Sequence, residues 1–160
     1  MVFDNLHVTT DDEKYMLEAL KEAKTAADNS EVPVGAVIVR NGEVIARAHN
    51  MVETRRLSYS HAEMVALDEA ERVLGAKWLS DSTMYVTLEP CSMCAGALVL
   101  SRIGRLVIGA SDPKAGACGS VINVSNNERL NHRIDITKGV LEEECSELLR
   151  SFFREKRLNK

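Results

Sequence analysis

Met84-Tyr85-Val86-Thr87-Leu88-Glu89-Pro90-Cys91-Ser92-Met93-Cys94-Ala95-Gly96-Ala97-Leu98-Val99-Leu100-Ser101 holds a strand and a helix in immediate succession. Met84 to Leu88 alternates and is rich in strand-forming residues. Pro90 suits a first helical position, where a missing N–H costs nothing, so a helix is expected from Cys91 to Ser101. Downstream, Leu106 to Ile108 is a short apolar run ending at Gly109, a second strand. Upstream, Ala62 to Leu74 carries Ala62, Ala66, Ala70 and Val73 at helical spacing. Strands that alternate with helices in this way predict an α/β domain with a mixed sheet and helices on both faces.

The rest of the chain extends that pattern. Thr10 to Ala27 reads as a helix: Thr10 and Glu13 have capping-box spacing, and Met16, Ala19, Leu20, Ala23 and Ala27 form a stripe. Val34 to Val39 is a near-continuous apolar run, as in a buried strand. Asn41-Gly42 then marks a hairpin turn into a strand over Val44 to Ala48. His49 to Ser60 is polar and irregular. Ala110 to Asn131 is rich in Gly, Ser, Asn and Asp, and a loop of that length in a compact domain is usually functional. A last strand is expected at Arg133 to Ile136. Leu141, Cys145, Leu148 and Phe152 space a closing helix.

At 160 residues the chain suits one domain, 1–160, with a core of its own. Its 45% hydrophobic and 28% charged residues are those of an ordinary globular protein. No apolar run approaches the roughly 18 residues of a membrane span. Met1 to Asp12 has neither a basic start nor an apolar stretch, so no leader is expected and the cytoplasm is the expected compartment. In that reducing setting the four cysteines are expected as metal ligands or free thiols. The net charge of −4 argues against indiscriminate nucleic-acid binding. Yet Arg150, Arg154, Lys156, Arg157 and Lys160 crowd the end of the chain against Glu155 alone. Such an end is either a local electrostatic footprint or a solvated helix face.

Two short motifs carry the chemistry. His61-Ala62-Glu63 precedes Pro90-Cys91-Ser92-Met93-Cys94. Cys91 and Cys94, at i and i+3, share a helix face and can meet one metal. The positive end of the helix dipole favours thiolates there. His61 at another helix start completes a Cys-Cys-His set with a fourth position open, the arrangement of a catalytic zinc. Water in that position has its pKa lowered to about 7. Glu63 lies close enough to take and return a proton without being a ligand, a role typically worth about 10²–10⁴-fold.

Other readings stay open at this level. Ser60 and Glu63 have the spacing of a capping box, so Glu63 could simply cap its helix. A single C-x-x-C could be a redox pair or half of a structural zinc site, with Cys118 or Cys145 completing the latter. Both of these cysteines otherwise read as structural.

The split pattern is the known signature of zinc-dependent nucleobase deaminases, and its meaning comes from that family. More residues follow the same lead. Glu31-Val32-Pro33-Val34-Gly35-Ala36-Val37, His49-Asn50, Thr87 to Ala97, Leu130-Asn131-His132-Arg133 and Phe152-Phe153-Arg154 occur in order. With Gly109-Ala110 through Gly119-Ser120, the chain from Asp12 to Arg157 resembles the bacterial tRNA-specific adenosine deaminases of the cytidine deaminase-like superfamily. The resemblance implies a three-layer α/β/α fold around a mixed five-stranded sheet, a homodimer, and zinc, one ion per chain, held by His61, Cys91 and Cys94. It implies hydrolysis of the wobble adenosine of a tRNA anticodon arm to inosine. In that reaction zinc-bound hydroxide attacks C6 of a flipped adenine and Glu63 shuttles the proton. Asn50 would hydrogen-bond the base and Val34 would pack against it, with Asp112 and Phe152 near the flanking nucleotides. Without the resemblance, Asn50 and Asp112 read as turn residues and Phe152 as core.

The chain also departs from the family. Ser58-Tyr59-Ser60 stands where small residues are usual, and Arg55 and Arg56 are unusual in that loop, where RNA should approach. A zinc-dependent deaminase of a free nucleobase or nucleoside (guanine, adenosine or cytidine) shares the same motif. A zinc or thiol module without catalysis is a third reading.

Overall fold

The computed structural model describes residues 10–159. Residues 1–9, which include most of the stretch searched for a leader, and Lys160 of the basic end lie outside it. The elements are α1 (Asp11–Asp28), β1 (Gly35–Arg40), β2 (Glu43–His49), α2 (Val52–Arg55), α3 (Ala62–Leu74), β3 (Ser82–Leu88), α4 (Ser92–Leu100), β4 (Arg105–Ala110), β5 (Asp135–Lys138) and α5 (Glu142–Leu158). The five strands form one sheet in the order β2-β1-β3-β4-β5. β1 runs antiparallel to β2 and β3, whereas β3, β4 and β5 are parallel, so the sheet is mixed as expected.

Alternation along the strands builds two cores. Ala36, Ile38, Met84, Val86, Leu106 and Ile108 point to one face, where Ala62, Ala66, Leu67 and Ala70 of α3 and Ala95 and Leu98 of α4 cover them. Val37, Val39, Tyr85 and Val107 point to the other, under Met16, Ala19 and Leu20 of α1 and Cys145 of α5. A shift of one residue would exchange these faces and set each side chain against the wrong helices. The hairpin turn is as predicted: Asn41 and Gly42 have φ of 52° and 75°, the paired positive values of a type I′ turn.

The cap of α1 also follows the sequence, with the Thr10 hydroxyl accepting from the Glu13 N–H at 3.2 Å. Several local expectations are corrected. His61, not Ser60, is the N-cap of α3, no side chain caps that helix, and Ser60 is buried. Val73 is 62% exposed, because the buried stripe turns through Leu67 instead. Pro90 precedes the N-cap, Cys91, and is not the first helical residue. The last strand, Asp135–Lys138, lies two residues later than the expected Arg133 to Ile136. His49 to Ser60 is not wholly irregular, since it contains α2.

Among the described residues, no helix is long and apolar enough to cross a membrane.

Candidate active site

Two helix starts converge where β3 ends. His61 caps α3 and Cys91 caps α4, with Cys94 one turn further along α4. His61 Nδ1 lies 3.5 Å from Cys91 Sγ and 3.4 Å from Cys94 Sγ. All three donor atoms are within 4.8 Å of one another. Around a tetrahedral zinc ion, with Zn–S of about 2.3 Å and Zn–N of about 2.0 Å, nitrogen and sulfur sit roughly 3.6 Å apart. The donor set therefore fits the metal in both chemistry and spacing, and it leaves one coordination position to a non-protein ligand.

The three groups also perturb one another. The Cys91 thiol is lowered to about 3 by a hydrogen bond from Cys94 and by His61. Cys94 is pushed upward by the same pairing and by burial. His61 is raised, chiefly by its hydrogen bond with Cys91. A thiol that coordinates a metal is deprotonated outright, which would remove the sharing between the two cysteines.

Glu63 is only 4% exposed. Burial raises its carboxyl above the usual range, against the opposing pull of its own backbone N–H and of His61. A buried carboxyl is costly to keep charged, so its placement beside this cluster suits proton transfer.

The cluster opens onto a cleft of about 320 Å³. Val34, Asn50, His61, Glu63, Cys91 and Asp112 all line it, although they come from distant parts of the chain. Phe152 does not. It lines a separate depression between the end of α1 and α5, with Ala27, Ser30 and Lys156. That depression reaches Ser30, the chain neighbour of Glu31 in the cleft wall. The Asn50 amide donates to Val32 O at 3.3 Å, and its Oδ1 accepts from the Val52 N–H at 3.2 Å. Its carboxamide is thereby oriented, with one N–H and acceptor capacity left over. Asp112 Oδ1 accepts from the N–H groups of Lys114 and Ala115, which shapes the turn beyond β4.

Two buried carboxylates of the cleft wall received no role from the sequence. Glu31 is fully buried and accepts from the backbone N–H groups of Glu53 at 2.9 Å and Thr54 at 2.7 Å. Glu89 is 2% exposed and accepts from the N–H groups of Asp112 at 3.1 Å, Cys118 at 3.0 Å and Ser120 at 3.1 Å, and from the Ser120 hydroxyl. Burial works against both charges, but these hydrogen bonds outweigh it and hold each carboxyl below its ordinary value. Glu89 follows the last residue of β3 and Glu31 stands four residues before β1, but nothing local to either acid names the N–H groups it holds.

Comparison with known proteins places the chain among deaminases. The family model of the MafB19-like deaminases matches residues 10–157. A tRNA-specific adenosine deaminase of Bacillus subtilis (strain 168) is 56% identical over 151 residues, covering 94% of each chain. A solved structure from work on A-to-I editing by deaminases at the wobble position of transfer RNA superposes with a TM-score of 0.82. It is 41% identical and the match covers 85% of this chain and 99% of that one. A guanine deaminase from Nitrosomonas europaea superposes at 0.73 with 27% identity, covering 88% and 83%. The identity and extent of these matches lead to one assignment: the chain belongs to the tRNA-specific adenosine deaminase family.

Proposed function

We propose that the chain hydrolyses adenosine to inosine at the wobble position of a tRNA anticodon. The observation that carries this reading is the buried Glu63 carboxyl beside the His61, Cys91 and Cys94 donors at the floor of one cleft. Those three residues would hold a zinc ion, one per chain. When bound, zinc supplies water acidic enough to react at neutral pH. Glu63 then moves the protons: it takes one from the attacking water, delivers it to a ring nitrogen of adenine, and returns a proton to the departing amine. The C6–N bond is replaced by a carbonyl and ammonia leaves.

Asn50 and Val34 hold the extruded base, Asn50 through the donor and acceptor capacity its own turn leaves free. Asp112 and Phe152 serve the flanking nucleotides. An unpaired loop suits such an enzyme, because extruding a base from it costs least. We further read the chain as one deaminase domain, 1–160, working as a homodimer in the cytoplasm. The four free cysteines accord with a reducing compartment.

The test is turnover of an anticodon stem-loop with adenosine at the wobble position, beside free adenosine, guanine and cytidine. Inosine in the RNA supports the reading. Turnover of a free base or nucleoside with none on the RNA favours the alternative, to which the likeness with the guanine deaminase points. Salt separates the two as well, since only phosphate contacts make binding weaken with added salt.

A further inference from the structure

The segment between Asn50 and His61 is a closed loop. The Met51 N–H donates to Ser60 O at 2.9 Å, which joins its two ends. Inside it, Leu57 N–H donates to Val52 O at 3.2 Å and Ser60 N–H to Leu57 O at 3.1 Å. From below, the buried Glu31 carboxylate grips the N–H groups of Glu53 and Thr54. Val52 and Glu53 line the cleft, and the loop ends at the donor residue His61. The loop is therefore fixed at both ends and at its first turn, on the rim of the candidate active site.

Its tip is what a nucleic-acid strand would meet. Arg55 and Arg56 are exposed, and Tyr59 is 53% exposed. Among the described residues Arg55 and Arg56 form no ion pair, in contrast to Arg40, Arg47, Arg72, Arg105 and Arg150 but like Arg102, Arg129, Arg133, Arg154 and Arg157. What distinguishes them is their place in the loop whose Val52 and Glu53 line the cleft. Arg56 also occupies a left-handed position, φ 56°, that usually takes Gly or Asn at a helix end. A strained backbone thus presents a guanidinium on a protein of net charge −4.

We infer that Arg55, Arg56 and Tyr59 form a docking edge for the RNA strand that leads into the cleft. The guanidinium groups meet phosphates and the Tyr59 ring stacks on a base outside the cleft. This deepens the proposed tRNA function and rests on it. Guanidinium groups suit phosphate oxygens through paired N–H donors, and exposed aromatic rings supply sequence-tolerant stacking. Because the loop is already closed, little ordering cost falls on binding.

The test is binding of a fluorescently labelled anticodon stem-loop across a series of salt concentrations, with kcat measured at saturating RNA. Arg55→Ala/Arg56→Ala is expected to weaken binding about tenfold at low salt. It should also flatten the slope of log K against log salt by about 1.4, at roughly 0.7 per phosphate contact on a single strand. Tyr59→Ala should weaken binding about fivefold or more without changing the slope. Arg55→Lys/Arg56→Lys should restore most of the slope, and kcat should stay within about twofold throughout. A second pair, Arg55→Ala/Arg56→Gly, keeps the left-handed turn unstrained and guards against a misfolded loop. An unchanged affinity and slope in both Arg pairs, while the wild-type chain deaminates the stem-loop, overturns this inference alone. A wild-type chain that leaves that adenosine intact overturns the functional reading and this inference with it.

Discussion

The Glu89 carboxylate accepts the backbone N–H of Cys118 at 3.0 Å, and so ties the residue before Pro90-Cys91 to a loop far along the chain. The same carboxylate holds Asp112 and Ser120. A second tie, from the Ala117 N–H to Pro90 O at 2.9 Å, runs beside it. The metal-donor turn and the Asp112 wall of the cleft are thereby one unit.

Replacing Glu89 tests that unit. Glu89→Gln turns one acceptor oxygen into a donor that faces N–H groups. A loss of about 1–3 kcal/mol is expected from unmatched buried donors. Amide hydrogen exchange at Cys118 and Ser120 should accelerate more than exchange in β1. Equal protection in variant and wild type would show that the loop is held by other contacts.

Gly35 lets α1 press onto β1. A Cβ there would come within 2.0 Å of Ala19 O and 2.6 Å of Ala23 N, both backbone atoms that cannot step aside. Gly35→Ala is expected to destabilise the fold by about 2–3 kcal/mol or more through forced overpacking. Denaturant unfolding measures it, and a variant of unchanged midpoint would contradict the packing.

The Asp12–Arg105 pair makes stability depend on pH. Arg105 Nη1 donates to Asp12 Oδ1 at 2.7 Å, and the Tyr85 hydroxyl donates to the same oxygen at 3.0 Å. These bonds, that from Arg105 above all, lower the Asp12 carboxyl below its ordinary value. A depressed folded-state value stabilises above the unfolded value, near pH 3.9, and the benefit disappears as pH falls through the folded value. Asp12→Asn should therefore cost about 1 kcal/mol at neutral pH, discounted for partial exposure. It should cost less and less below about pH 4. A penalty that is constant with pH would rule out the charged pair as its source.

The donor cluster predicts linkage between metal and stability. Zinc present at about 100 times its Kd adds about 2.7 kcal/mol to the folded state. Treatment with a chelator should lower the unfolding temperature of the wild type but leave Cys94→Ala almost unmoved, because that variant has lost a ligand. Metal analysis should find about one zinc per wild-type chain. A chelator response of equal size in both proteins would place the metal elsewhere.

Much of this was legible in local pattern. The alanine stripe ended where α3 ends, the Asn41-Gly42 turn formed, and His61, Cys91 and Cys94 met as their spacing on two helix starts suggested. What failed lacked a local signal. β5 is an edge strand paired only with β4, and none of its residues is buried, so hydrophobicity could not mark it. Ile134, inside the expected span Arg133 to Ile136, is 1% exposed and joins the core just ahead of the observed strand. α2 is one turn held in place by Glu31 from across the cleft. Val73 is exposed because Leu74, not Val73, carries the last turn of the helix against the core. Glu31 and Glu89 act through hydrogen bonds to residues 22 to 31 positions away, and no local spacing rule reveals such partners.

The most direct measurement is sequencing of total tRNA after incubation with the purified zinc-loaded chain, beside Glu63→Ala. Inosine is expected in place of adenosine at the first anticodon position of one or more tRNAs. The variant is expected to fold, keep its zinc and lose at least about 10²-fold in rate. No inosine in any tRNA, or a Glu63→Ala protein as active as the wild type, would contradict the account.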